Sequence, residues 1–306
     1  KLIPNFVDIR KDTYCIDENK IEKQINSKTV AICVPNLIGN LPNWGQIKSI
    51  AKKYKLFIIE DSADTLGAKI NNKSSGHFSD VSITSFYGSH IINCAGNGGM
   101  LSTSDKKLAD DARIYRSWGR SSSLFKNSED INKRLNYKLD GIRYDAKFIF
   151  EKIGYNFEPS EIGAAFGLVQ LKNLKQNIKI RNRNYKLHFD FLSKHPELFI
   201  LPNVLPNVRT NFLAFPIQIK ENTKIIRNEL QKFLEENKIQ TRVIFTGNIL
   251  RQPGFKNIKY LSKNGKFHMA DTVMKNGMLI GCHQGLSIQN IKFIHNKIKK
   301  FIKNKL

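Results

Sequence analysis

Cysteine is scarce in this chain of 306 residues: Cys15, Cys33, Cys94 and Cys282 lie far apart and form no CxxC pair. That excludes a thiolate zinc site and a disulfide framework, and a reducing cytoplasm is the expected compartment. No apolar run approaches the roughly 20 residues needed to cross a bilayer. There is no GK[ST] after the glycines, no internal repeat, and no Met at position 1, where Lys1 stands. Arginine is also thin. Only 12 of the 50 basic residues are Arg, while Asn reaches 31. The net charge of +24 is therefore read as a lysine-rich, solvated surface and not as a nucleic-acid or membrane footprint, since nucleic-acid binders concentrate Arg and aromatics on one element.

What is present is the pattern of an α/β protein. Val30–Val34 and Leu56–Ile59 read as buried strands around a helix at Pro42–Lys53, a βαβ unit that predicts a parallel sheet. Strands are expected at Asp80–Phe86 and Met100–Thr103, and a helix over Asp105–Trp118. Gly119–Ile153 reads as a long loop, and a long helix starts near Pro159 with Ile162, Ala165, Phe166, Val169 and Leu171 on one face. Pro196, Pro202 and Pro206 mark a change of domain. A smaller α/β unit follows, with a strand at Phe212–Ile219, a helix at Thr223–Asn237 and a strand at Thr241–Phe245. Ile291, Ile294, Ile298, Phe301 and Ile302 have helical spacing with lysines opposite. Such a helix lies on a membrane or closes its own domain, and the second is expected here.

Ligands in such sheets bind beyond the carboxyl ends of the strands, which singles out Asp61, then His90 past the next strand, and the turn Gly96-Asn97-Gly98-Gly99. The turn leads into a strand, so a dinucleotide fingerprint is a poor fit. Alone, these residues define an α/β enzyme with a ligand at the strand ends.

Longer strings carry more. IIEDSADTLGAK (Ile58–Lys69), GHFSDVSITSFYGSH (Gly76–His90), RSWGR (Arg116–Arg120), YNFEPSEIGAAFGLVQLKNL (Tyr155–Leu174) and TRVIFTGNILRQP (Thr241–Pro253) stand in the order of the DegT/StrS-type sugar aminotransferases, which the chain resembles over nearly its whole length. The resemblance implies an α/β protein of the PLP-dependent transferase fold type I, like aspartate aminotransferase. Its large mixed-sheet domain would span 1–194 and its small C-terminal α/β domain 195–306. It also implies pyridoxal 5′-phosphate or pyridoxamine 5′-phosphate as cofactor, with Asp61 on the pyridine nitrogen, Ser85 on the phosphate, and Asn156 reaching the phosphate across a homodimer interface.

The family lysine that forms the Schiff base falls 29 residues after Asp61, and His90 stands there. Such a histidine resembles the 3-dehydratase branch, as do Asp64 and the GN-x-x-RQP string at Gly247–Pro253. A carboxylate on the pyridine nitrogen keeps the ring an electron sink, and an imidazole is suited to move the proton while the C3 hydroxyl of a 4-keto sugar leaves. One type in this branch carries an iron–sulfur cluster on cysteines after WGR. Here Ser121–Phe125 contains none, so no cluster is expected and glutamate is the expected amine donor. Asn248, Arg251 and His283 either face the sugar nucleotide, where an arginine suits a diphosphate, or serve structure alone. The loop His90–Gly99 departs from that branch by one extra residue, by Ile91 in place of a second His, and by Asn97 in place of Glu. An aminotransferase and an inactive or regulatory homologue are the alternatives. Lys1–Ile9 reads as an apolar strand, and the family segment before it is absent from this sequence, so the large domain is expected to be truncated at its N-terminus.

Overall fold

The computed structural model describes residues 2–262 and 265–305. A four-stranded sheet organises the first hundred residues. Strands β1 (Ala31–Pro35), β2 (Phe57–Asp61) and β5 (Val81–Ser85) run parallel, and β6 (Gly99–Thr103) closes the order β1-β2-β5-β6 antiparallel. Between them, β3 (Lys69–Ile70) and β4 (Lys73–Ser74) form a small hairpin. The register places Pro35 beside Asp61 and Asp61 beside Ile83, so Asp61 ends the central strand.

Helix α1 (Glu18–Gln24) and helix α2 (Trp44–Tyr54) cover one face of this sheet. Asn43 caps α2 by accepting the Gln46 N–H at 3.1 Å, and Lys55, in the left-handed region at φ 54°, ends it. The buried stripe Trp44, Ile47, Ile50 and Ala51 meets Ile32, Val34 and Ile58 from alternate strand positions.

Helix α3 (Lys106–Arg116) follows β6. The long loop expected over Gly119–Ile153 is instead a set of short pieces: 3-10 turns at Ser121–Leu124 and Ala146–Phe148, helix α4 (Ile131–Leu135), and the hairpin β7 (Tyr137–Leu139) with β8 (Ile142–Tyr144). Arg134 pairs with Asp145 and Glu129, and Lys147 with Glu129, so charges distant in sequence stitch the pieces together. Elements of three to five residues carry too few turns or alternations for a periodic pattern to reveal them.

Helix α5 (Glu161–Leu192) runs 32 residues, about 48 Å at 1.5 Å per residue. The apolar residues expected along its first half are outward: Ile162, Phe166, Val169 and Leu171 are exposed. Its inner face buries Gly163, Gly167, Arg181, Asn184, His188 and Leu192. Among the described residues, no other element covers this outer face.

After α5 come β9 (Phe199–Ile200), β10 (Val208–Arg209), β11 (Phe215–Ile219), α6 (Arg227–Glu236), β12 (Thr241–Val243), α7 (His268–Asn276), β13 (Gly277–Ile280) and α8 (Ile288–Lys305). An antiparallel sheet β12-β13-β11-β9 carries a second core. Helix α8 buries Ile291, Ile294, Ile298, Phe301 and Ile302 on its own domain, the closing helix that the spacing predicts. That core also takes in Tyr14 and Ile38 from the N-terminal part, and β10 pairs with β3.

Leu2–Ile9 is not a strand, and Lys1 lies outside the described residues. Asn5 bridges Leu261, and Ile9 bridges Ile16, each as a single pair. Other partners hold the segment: Phe6 meets Tyr260 and Phe267 edge to face, and Asp8 accepts the Met269 and Ala270 N–H groups, each at 3.1 Å. Helix α7 has Phe267 at its N-cap, with no side-chain acceptor of its own, so Asp8 supplies the cap from 261 residues away in sequence. Replacing it, Asp8→Ala, is expected to lower stability by about 1–2 kcal/mol, and Asp8→Asn to recover only part of that loss because its amide nitrogen cannot accept the second N–H, as read from urea unfolding midpoints at constant m.

Candidate active site

Strand alternation sends consecutive acids of β2 in opposite directions. Glu60 points into the protein and is fully buried, while Asp61 is only partly buried at the carboxyl end of the sheet. The Glu60 carboxylate accepts Asn36 Nδ2 at 2.8 Å, Ser62 Oγ at 2.6 Å, Gly76 N at 2.8 Å and Ser79 Oγ at 3.1 Å. Asn36 is fixed in turn, since its Oδ1 accepts the Trp44 indole N–H at 2.8 Å and its backbone N–H reaches Asp61 O at 2.8 Å. Four donors from three segments thus lock the ends of β1, β2 and the approach to β5.

On that base stand three ionisable groups. Asp61 Oδ1 accepts the Ala63 N–H at 3.1 Å, which turns the chain sharply into Asp64. Asp64 Oδ2 accepts the Ile38 N–H at 2.9 Å, where Ile38 sits at φ 60°, and Asp64 Oδ1 lies 3.5 Å from His90 Nε2. His90 occupies a turn just past β5, its N–H on Tyr87 O at 3.0 Å. Burial, with the charge of Asp61 adding to it, pushes the Asp64 carboxyl up to about 6 against the Ile38 N–H. Burial likewise pushes the His90 imidazole below its ordinary value, opposed by Asp61 and the Ser85 carbonyl. Near neutral pH the imidazole is therefore uncharged and able to accept a proton.

These residues fit a phosphorylated pyridine cofactor. Asp61 is an acceptor for a protonated ring nitrogen. Ser85 Oγ accepts the Tyr87 N–H at 3.2 Å, which leaves its own hydroxyl hydrogen to donate to a phosphate. His90 Nδ1 is buried without a hydrogen-bond partner, as expected of a polar atom facing a ligand, while Asp64 Oδ1 faces His90 Nε2. Among the described ion pairs, no lysine reaches Asp61, Asp64 or His90.

The structure brings together Asp61, Asp64, Ser85 and His90, and no described hydrogen bond or ion pair joins the other sequence candidates to them. Asn156 is exposed, in a single bridge with Ser117. Asn248 caps the turn at Leu250 and donates to Asp271 at 2.8 Å. Arg251 grips the same Asp271 through Nε at 2.5 Å and Nη2 at 2.8 Å, so its fork is already engaged. His283 is exposed, and its Nδ1 accepts the Gly285 N–H at 3.2 Å. Sequence reasoning missed Glu60, Asn36 and Ile38. The position of Asn36, immediately after β1, was a signal of the strand-end kind that singled out Asp61.

Sheet order, second α/β core and strand-end carboxylate together fit the PLP-dependent transferase fold type I, as the resemblance led us to expect. The chain belongs to the DegT/DnrJ/EryC1/StrS aminotransferase family, whose sequence model matches residues 1–299. It is 34% identical to the lipopolysaccharide biosynthesis protein RfbH of Salmonella typhimurium over 98% of this chain and 69% of that protein. To the GDP-4-keto-6-deoxy-D-mannose 3-dehydratase of Yersinia pseudotuberculosis it is 31% identical over 96% of this chain and 73% of that one. A solved GDP-4-keto-6-deoxymannose-3-dehydratase with a trapped PLP-glutamate geminal diamine superposes with a TM-score of 0.84 at 27% identity, over 96% of this chain and 74% of that one. The chain spans 69 to 74% of the length of these three relatives.

Folding raises the Asp64 pKa from its ordinary 3.8 to about 6, so the native state holds that proton more tightly than the unfolded chain. The associated stability, on the order of 3 kcal/mol, is fully present below pH about 3.8 and is lost as pH rises through 6. Asp64→Asn is expected to flatten this segment of the stability profile. Denaturant melts at half-unit pH steps test it, and an unchanged slope between pH 4 and about 6.5 counts against the assignment.

Proposed function

We propose that this protein is a PLP/PMP-dependent nucleotide-sugar 3-dehydratase that removes the C3 hydroxyl from an NDP-4-keto-6-deoxyhexose in the synthesis of deoxysugars for surface polysaccharide. One observation carries the reading: an uncharged imidazole, His90, stands beside a buried carboxylate where this family places its cofactor lysine. The relatives named above as 3-dehydratases support it.

When bound, the cofactor supplies an amine that takes up the 4-keto group and a ring that accepts electrons. Asp61 holds a proton on the ring nitrogen. Ser85 binds the phosphate, joined by Asn156 of a second copy. His90 accepts a proton and passes it to the departing C3 oxygen, which leaves as water. Asp64, close to Nε2, orients the ring and steadies its protonated form. Over the whole reaction the sugar loses its C3 hydroxyl as water and glutamate becomes 2-oxoglutarate, its nitrogen leaving as ammonia, a role for glutamate supported by the glutamate adduct in the solved dehydratase.

The exposed outer face of α5, with Ile162, Phe166, Val169 and Leu171, supports a homodimer, and Asn156 lies beside that helix. In this reading residues 1–194 are the large domain and 195–306 the small one. Asn248, Arg251 and His283 belong to the small domain and approach the sugar nucleotide when it binds. The cytoplasm, where nucleotide sugars are made, is the proposed compartment, and no helix among the described residues is long and apolar enough to cross a membrane. The lysine-rich surface serves neither nucleic acid nor membrane.

Incubation with pyridoxamine phosphate, glutamate and GDP- or CDP-4-keto-6-deoxyhexose is expected to give the 3-deoxy product, with His90→Ala slowing it by about 100-fold or more. Absence of deoxygenation, or an undiminished rate in the variant, defeats the proposal. The rate should also hold from neutral pH down past about 6.5 and fall only below it, because protonation removes the base. A fall that sets in above pH 7 excludes His90 in this role.

A further inference from the structure

The loop Tyr87–Gly99 that carries His90 is laced to itself. Phe86 N donates to Gly98 O at 2.8 Å, Gly88 N to Gly96 O at 3.0 Å, and Cys94 N to Phe86 O at 3.0 Å. Ile91 and Ile92 are buried, and Ala95 adopts φ 55°. The loop's two ends join the paired strands β5 and β6 at Ser85 and Gly99. Its far side meets α5, where Cys94 rests on the first turns of the helix, against Gly163 and Gly167.

The approach is too close for any side chain on the helix. A Cβ on Gly163 would lie 2.8 Å from Cys94 O, and a Cβ on Gly167 would lie 2.5 Å from Cys94 Sγ. Neither glycine has a positive φ, so the backbone does not require glycine at either place. Both sit inside a helix, which glycine weakens. The close approach of the loop is the physical reason for both.

We propose that Gly163 and Gly167 are positioning residues for His90: by seating Cys94 they set how deeply the loop lies, and with it the distance from His90 to Asp64. This rests on His90 as the proton-transfer group. The two glycines meet different atoms, which makes the contact separable. At Gly167 the obstacle is the thiol alone, since a Cβ there would stand 3.8 Å from Cys94 Cβ and 3.9 Å from Asn93 O, ordinary contacts. At Gly163 it is the main-chain carbonyl, which no change of side chain removes.

The test is a cycle of Gly167→Ala, Cys94→Ala, their combination, and Gly163→Ala with and without Cys94→Ala. Each is read by NMR titration of the His90 imidazole in the full chain and by kcat and KM for dehydration. Gly167→Ala improves helix propensity and is expected to fold, which circular dichroism checks. It should shift the His90 titration toward its exposed value and lower kcat by about 100-fold, the effect of a displacement near 1 Å, with KM within twofold. Adding Cys94→Ala should restore both. Gly163→Ala should shift both as well, without restoration by Cys94→Ala. An unmoved titration in Gly167→Ala, or no recovery in the combination, overturns the proposal. A titration that moves and recovers while kcat stays constant supports the seat and counts instead against His90 as the proton carrier.

Discussion

Glu60 is the constraint on which the site depends. A carboxylate with no exposure to solvent is tolerated only when its lone pairs are filled, and its four donors come from the segments after β1, after β2 and before β5. Those segments can supply them in one arrangement only. That arrangement ends the three parallel strands at a common level and directs Asp61 outward. The fully buried acid thus fixes the place of the partly exposed one, Asp61, to which the proposal gives the ring nitrogen.

From there the geometry spreads through Asp64. One oxygen holds the Ile38 N–H and the other faces His90. Ile38 itself is a core residue of the C-terminal sheet. Leu213 N–H bonds to Ile38 O at 2.8 Å, and Arg181 from α5 donates to Phe212 O at 3.2 Å and Leu213 O at 3.0 Å. The carboxylate beside the imidazole is therefore tied by a short path of bonds to the joint between the two cores. Any shift of one core on the other bears on the spacing between Asp64 and His90.

The strands and α2 were legible because their signals are local: short apolar runs in β1 and β2 with a helical stretch between them. Asp61 and His90 were legible from strand ends, and the roles proposed for them come from motif order. What was hidden depends on distance in the chain. Asp8 capping α7, Glu60 gathering donors, and charges stitching 121–148 leave no periodic trace in the residues around them. Leu2–Ile9 misled for the reverse reason: an apolar pattern of strand type met aromatic rings and a helix end in place of a neighbouring strand. The outward face of α5 shows that a stripe tells which residues share a side, and not what covers them.

The presence of Tyr14 and Ile38 in the C-terminal core bears on how the molecule is made. During synthesis these residues emerge before the sheet and the helix α8 that enclose them, which come from residues 199–305. Asn40 Nδ2 waits for Asn203 O, and Asp8 for the start of α7. The first sheet can assemble early from neighbouring strands, but it stays open at this joint until residues 199–305 have followed. In the interval Ile38 is uncovered, and Asp64 lacks the neighbour that fixes Ile38. The proposed site thus takes its final shape only when residues 199–305 fold against it.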